Sequence, residues 1–191
     1  TLEKNLVWPN VSIPHFELRG ELSNDISKAL HLSLVPLVAA ANRRGWESYA
    51  VENQGWIHEG VTNGGEYIPS ISQQITRYTV GQDGDILVPE LARSEYGPVW
   101  QQAPTPNDPY IINYNLLSHP LYQRVYESMR ESKLPVMSEV SDFSFLYAGG
   151  SIQDDVAHIH SALLHPIYPD FNTKEHRKED IVGFLTAILP W

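Results

Sequence analysis

Residues 181–189, Ile-Val-Gly-Phe-Leu-Thr-Ala-Ile-Leu, are apolar at both alternating sets of positions. A strand with two apolar faces needs neighbours on both sides, so this run predicts a central or doubly covered strand. The chain offers several partners for it. Leu30, Leu32 and Leu34 alternate with His31 and Ser33, the period-2 pattern of a half-buried strand. Further strands are expected over 136–140, 143–147 and 162–168. Between the last of these and the closing run, residues 169–180 carry Lys174, Glu175, Arg177, Lys178, Glu179 and Asp180, which reads as a solvent-exposed hairpin loop.

Two helices complete the pattern. After Asn42, a suitable N-cap, Trp46, Tyr49, Ala50 and Asn53 recur at helical spacing and Gly55 follows where a C-terminal cap is expected. Ser118-His119-Pro120 is a good helix start, placing Leu121, Val125 and Met129 on one face with Tyr122 and Tyr126 beside them; Pro135 ends the run. Residues 60–84 show no firm periodicity and read as loop with short strands. With 14 prolines and 12 glycines the elements must be short and the turns frequent. Helices early and in the middle, with antiparallel strands closing the chain, give an α+β class.

Charge and composition then exclude several kinds of function. Thirteen basic against 23 acidic residues give a net charge of −10, and no Lys/Arg stripe is present to neutralise phosphates, so nucleic acid is not an expected partner. The longest apolar stretch, 34–41 with one proline in it, is far short of the roughly 20 residues that cross a bilayer. Any membrane attachment is therefore expected through flanking helices. The start at Thr1 fits a fragment of a longer protein. The absence of cysteine rules out disulfides, thiolate nucleophiles and Cys-ligated zinc. Asn10-Val11-Ser12 is a glycosylation sequon, compatible with secretion.

Several segments in a fixed order resemble the CHASE family of extracellular sensors, which are built from PAS-like lobes. Glu95-Tyr96-Gly97-Pro98-Val99 is similar to that family's Glu-Tyr-Ala-Pro-Val, and Asn115-Leu116-Leu117-Ser118 to its Asp-Met-Met-Ser opening a helix. Val136-Met137-Ser138 matches its Val-Leu-Thr strand without a gap from Asn115, and Pro166-Ile167-Tyr168 resembles its Pro-Val-Tyr. Gln54-Gly55-Trp56-Ile57 fits the end of its first helix. The stretches 100–104 and 111–114 also resemble sensors attached to eukaryotic nucleotide cyclases.

The resemblance implies PAS-like antiparallel sheets with flanking helices, in one or two lobes behind a truncated N-terminal stalk. Residues 1–29 would be stalk remnant and connection, and 30–191 the sensor, with a membrane-distal lobe over about 30–168 and a closing, proximal part over about 160–191. It implies an extracellular or periplasmic-facing domain that binds a small molecule, works as a homodimer in the full receptor and drives a cytoplasmic cyclase or kinase. No cofactor and no turnover are expected of the domain itself. In that family an Asp at the position of Asn115 and a main-chain group at the position of Met137 hold a planar ligand. The expected ligand-binding set is therefore Trp100, Tyr114, Asn115, Met137 and Ser138. The Asp-to-Asn departure matters, because an ionised Asp only accepts hydrogen bonds whereas Asn both donates and accepts. Asn115 equally suits a plain turn ahead of a helix.

Other constellations are weaker. On a strand His158 and His160 would point to the same side, near Asp154, Asp155 and His165 in sequence, so a metal site is geometrically conceivable. The resemblance places them in a surface loop entering a strand, and no metal is assigned to them. No Gly-x-Ser-x-Gly elbow, Walker loop, dinucleotide glycine fingerprint or His-Glu-x-x-His motif is present.

Overall fold

A computed structural model describes residues 7–57, 73–81, 84–106, 111–143, 159–169 and 180–191. The closing apolar run forms strand Gly183–Pro190, with His31–Pro36 on one side and Ile159–Ile167 on the other. Numbered along the chain, the strands are β1 (His31–Pro36), β2 (Val38–Ala39), β3 (Thr76–Gly81), β4 (Gly84–Pro89) and β5 (Glu95–Tyr96), then β6 (Gln101–Ala103), β7 (Val136–Met137), β8 (Ser141–Asp142), β9 (Ile159–Ile167) and β10 (Gly183–Pro190). The main sheet has six strands in the order β6-β1-β10-β9-β7, with β8 also pairing with β9, and every pairing is antiparallel. The α+β class holds. The predicted central strand is central.

Register assigns the two faces. Val35, Phe184, Leu164 and Val136 are cross-strand neighbours and share one face, because Val35 pairs with Phe184 and Val136 with Leu164 while side chains alternate along each strand. Helix α3 (Pro120–Ser132) covers that face, burying Leu121, Tyr122, Val125, Tyr126 and Met129 as its spacing predicts, and Tyr126 meets Phe184 at 5.9 Å between ring centroids. Its first turn is capped by His119, whose Nδ1 accepts from the Leu121 amide at 3.3 Å. The helix stops at Ser132, three residues before Pro135, because Lys133 turns left-handed at φ 58° and donates its N–H to the Met129 carbonyl.

On the opposite face lie Leu32, Leu34, Ala103 and Ala187. Helix α1 (Phe16–Ser27) packs there against β6 and β1. The sequence does not announce this helix, since Pro9 and Pro14 argue against a stalk; both prolines lie ahead of it. Its inner side is made by Phe16, Glu17 and Gly20, while Leu18, Leu22 and Ile26 stand exposed, so its apolar spacing points away from the sheet. Gly20 is what lets it approach. A Cβ there would stand 2.3 Å from the Ala103 Cβ.

Helix α2 (Arg43–Glu52) follows β2 as its spacing predicts, with Trp46 and Ala50 inward. Asn42 occupies its N-cap position without a side-chain cap bond, and the C-terminal cap is Asn53 rather than Gly55. β3 and β4 form a two-stranded hairpin, in line with the short strands expected there; residues 58–72 lie outside the described part. The strand expected over 136–140 shrinks to β7, and of the one expected over 143–147 only Phe143 is described, buried just after β8. The charged loop lies outside the described residues except for its ends.

Candidate functional site

The structure separates the five expected ligand residues into two places. Trp100, Tyr114 and Asn115 come together: the Val99 amide donates to the Tyr114 carbonyl, and Pro98 bridges to Asn115. Met137 ends β7 at the far edge of the sheet, and Ser138 directly follows it, its amide donating to the Ala162 carbonyl. Trp100 sits beside β1 at the β6 edge, its amide bonded to the Leu34 carbonyl, so four strand spacings, roughly 19 Å along the sheet, separate it from Met137. One small pocket does not span that distance.

Each residue's surroundings explain its position. Trp100 is fully buried within an aromatic cluster of Trp46, Tyr49 and Trp56 at 5.3, 5.7 and 5.9 Å, and its Nε1 donates to Ser12 Oγ at 2.9 Å. Tyr114 is buried against Tyr78 at 4.9 Å. Both are core. Met137 lies half exposed on the α1 face where that helix does not reach. Ser138 is held at the sheet edge, its Oγ accepting from the Ala162 amide at 2.9 Å and donating to the Glu139 carbonyl at 2.7 Å.

Asn115 is fully buried, and its amide is engaged at both ends. Its Oδ1 accepts from the Gly97 amide at 2.8 Å, and its Nδ2 donates to Glu90 Oε2 at 2.8 Å. Its backbone N–H donates to the Thr76 carbonyl, and Leu116 N–H donates to the Gly97 carbonyl. Asn115 therefore joins the start of β3, the Glu90 segment and the Gly97 turn. It is also the point at which the chain leaves extended geometry for a single tight turn, Leu116–Ser118, leading into α3.

Glu90 is the group that this arrangement holds. Its side chain is 1% exposed, with Oε1 accepting from the Leu91 amide at 2.9 Å and lying 3.5 Å from Arg93 Nε and 3.8 Å from Arg77 Nε. A buried carboxylate is costly unless it is hydrogen-bonded and paired, and Glu90 is both. Neighbouring segments fix the Arg93 guanidinium and the backbone around Glu90. Arg43 donates from Nη1 to the Glu90 carbonyl at 2.9 Å and lies over the Tyr96 ring, 5.0 Å from its centroid, while its Nε pairs with Glu47 at 2.8 Å. Glu47 in turn accepts from the Ile75 amide at 3.1 Å. Arg93 Nη1 donates to the Leu117 carbonyl at 3.1 Å, and its amide donates to the Tyr96 hydroxyl at 3.0 Å.

A cleft of about 360 Å³ opens over this carboxylate, lined by Arg77, Tyr78, Glu90, Leu91, Ala92, Arg93 and Ser118. On the other side of Arg93 a second hollow of about 300 Å³ is bordered by Glu95, Tyr126, Glu127 and Arg130. There the Tyr126 hydroxyl donates to Glu95, and burial, reinforced by that carboxylate, pushes its ionisation well above the usual tyrosine range. Two acidic residues leave this second hollow with no cation surplus.

Arg77, Glu90 and Arg93 escape the sequence reading because no motif joins them. The signal that points to them is the amide at 115, where the resembled family has a carboxylate: a second buried carboxylate beside it makes an amide the fitting partner.

Among the described residues no three His, Asp or Glu side chains are placed to hold a metal ion. His160 and His165 are five residues apart on β9 and so face opposite sides of the sheet; Asp154, Asp155 and His158 lie outside the described part. No described helix is long and apolar enough to cross a membrane.

The sequence matches no protein-family model, and a search of curated proteins finds no similar one.

Proposed function

We propose that this chain is a ligand-sensing domain of the PAS-like kind its sequence resembles, and that its small-molecule ligand binds in the cleft over Glu90. One observation carries the reading: a buried carboxylate, braced by Asn115 and flanked by two arginines, forms the floor of an open cleft. Ionisable groups gathered in a concave site are candidates for function, since an apolar set of similar volume costs less to bury. The site also lies where a signal can leave it. Asn115 touches the cleft floor on one side and on the other leads directly into α3, which packs on the main sheet. In the receptor setting that the resemblance suggests, the domain lies outside the membrane between flanking helices, acts in a homodimer and moves a cytoplasmic cyclase or kinase, binding its ligand without turning it over.

Heteronuclear NMR on the ¹⁵N-labelled chain, screened against a small-molecule library, tests the reading. A ligand should perturb amides at 77–78, 90–93 and 115–118 together. Perturbations confined to Met137 and Ser138, or none with any compound, would refute the placement and favour a partner-binding module without a pocket.

A further inference from the structure

We infer that the cleft over Glu90 selects a ligand bearing one anionic oxyacid group, a carboxylate or a phosphate monoester, attached to a small apolar body. The inference rests on the ligand-binding reading above and adds the chemistry of the ligand. It begins with charge. Two guanidinium groups line the cleft, Arg77 and Arg93, and Glu90 is the single carboxylate among its described lining residues. Both arginines lean on that one carboxylate, at 3.8 and 3.5 Å, distances of ion pairing rather than hydrogen bonding. Glu90 meanwhile accepts from Asn115 and from the Leu91 amide, so its oxygens are already engaged. Among the described lining residues two cations thus face one carboxylate, in a chain whose net charge is −10.

Exposure gives the same answer. The Arg77 and Arg93 side chains are 26% and 36% exposed while that of Glu90 is 1% exposed, so the charge that the cleft presents to a ligand is cationic. Planar guanidinium forks match carboxylate and phosphate oxygens in geometry as well as charge. Beside them stand Tyr78 and Leu91, the latter 63% exposed, which offer an apolar wall. The volume, about 360 Å³, is at the small end of ligand sites and suits a single-ring molecule.

Benzoate, phenyl phosphate, neutral benzamide and cationic benzylamine share one ring and differ in charge, so NMR titration of the labelled chain with these four separates the terms. Benzoate or phenyl phosphate should shift the amides of 77–78 and 90–93 and bind at least about tenfold more tightly than benzamide, with the difference shrinking at high salt. The tighter of the two anions distinguishes a carboxylate from a phosphate ligand. Arg77→Met should weaken the anion by about tenfold and leave benzamide unchanged, while Arg77→Lys recovers part of the loss because it keeps the charge without the fork. Equal affinity for benzamide and benzoate in the cleft overturns the anion assignment and leaves the ligand-binding reading intact. Failure of all four probes to perturb the cleft overturns both, and anion binding that ignores Arg77→Met overturns the assignment to this cleft.

Discussion

Replacing Asn115 by Asp exchanges one heavy atom, Nδ2 for an oxygen, and sets two carboxylates against each other. In the native protein Asn115 Nδ2 donates to Glu90 Oε2 at 2.8 Å; in Asn115→Asp an oxygen stands in its place. Two unit charges about 4 Å apart repel by about 4 kcal/mol at an effective dielectric constant near 20. Proton uptake caps the penalty. Holding one carboxyl neutral at pH 7, when its unperturbed pKa is near 4, costs about 1.4 kcal/mol per pH unit, again about 4 kcal/mol. Arg77 and Arg93, already near this carboxylate, offset part of it, so the expected loss at pH 7 is about 2–4 kcal/mol.

The sign follows from linkage. One carboxyl of the variant has its folded pKa raised above its unfolded value, so its destabilising effect is absent below the unfolded value near 4 and grows as the pH rises. Urea unfolding of both proteins at several pH values between 4.5 and 7.5 measures the gap directly. Asn115→Leu is the control: it strands the Gly97 amide and removes the donor to Glu90, so it should lose stability also in acid, with a smaller pH dependence than Asn115→Asp because no second carboxyl is introduced. The double variant Glu90→Gln with Asn115→Asp again pairs one amide with one carboxylate and should regain most of the loss. If Asn115→Asp stays within about 1 kcal/mol of the native protein at pH 7, or its penalty does not shrink in acid, the buried contact with Glu90 is not the interaction described here.

Three further outcomes test other parts of the structure. Burial, with His160 nearby, pushes the His31 imidazole down to about 4, so the unfolded chain binds the proton first: stability should fall as pH drops from about 6.5 towards 4, by up to about 2–3 kcal/mol, and His31→Leu should flatten that dependence in urea melts. Gly20→Ala should cost about 1–3 kcal/mol by driving α1 off the sheet, and adding Ala103→Gly should restore most of it, a coupling that thermal melts of the double-mutant cycle reveal. Met129→Ala, on the fully buried face of α3, should cost about 2–5 kcal/mol in urea unfolding while leaving helical circular dichroism at low denaturant unchanged.

What the sequence discloses about the fold follows from where its periodicity meets its core. β10 and α3 are legible because each buries a regular apolar face, and the period that fills the core is the period one reads. In α1 the two disagree. Its inward contact is made by a glycine and a glutamate, its leucines face outward, and the physical cause of its docking is the absence of a side chain at Gly20. The loop-like stretch ahead of β4 hides the β3–β4 hairpin for a related reason: β3 mixes Thr76, Arg77, Tyr78 and Thr79, and one of those polar residues serves the cleft instead of solvent.

The candidate site is legible at a single residue. Asn115 stands out because the resembled family has an acid there, yet the sequence cannot say what makes an amide suitable. The partner is Glu90, 25 positions away and brought close by the hydrogen bonds of Thr76 to Asn113 and Asn115 and of Glu90 to Ile75. Read alone, Asn115 suggests a ligand contact through its own amide. With Glu90 present, that amide is engaged on both sides, and the residue positions a carboxylate instead. In the proposed site the donors toward a ligand belong to Arg77 and Arg93. An acid at position 115, to the extent that it is ionised, would set a second negative charge beside the two arginines and weaken the cleft's attraction for an anion. The same substitution that spares the fold a second buried carboxylate therefore keeps the cleft cationic, and the stability of Asn115→Asp and its affinity for benzoate should fall together.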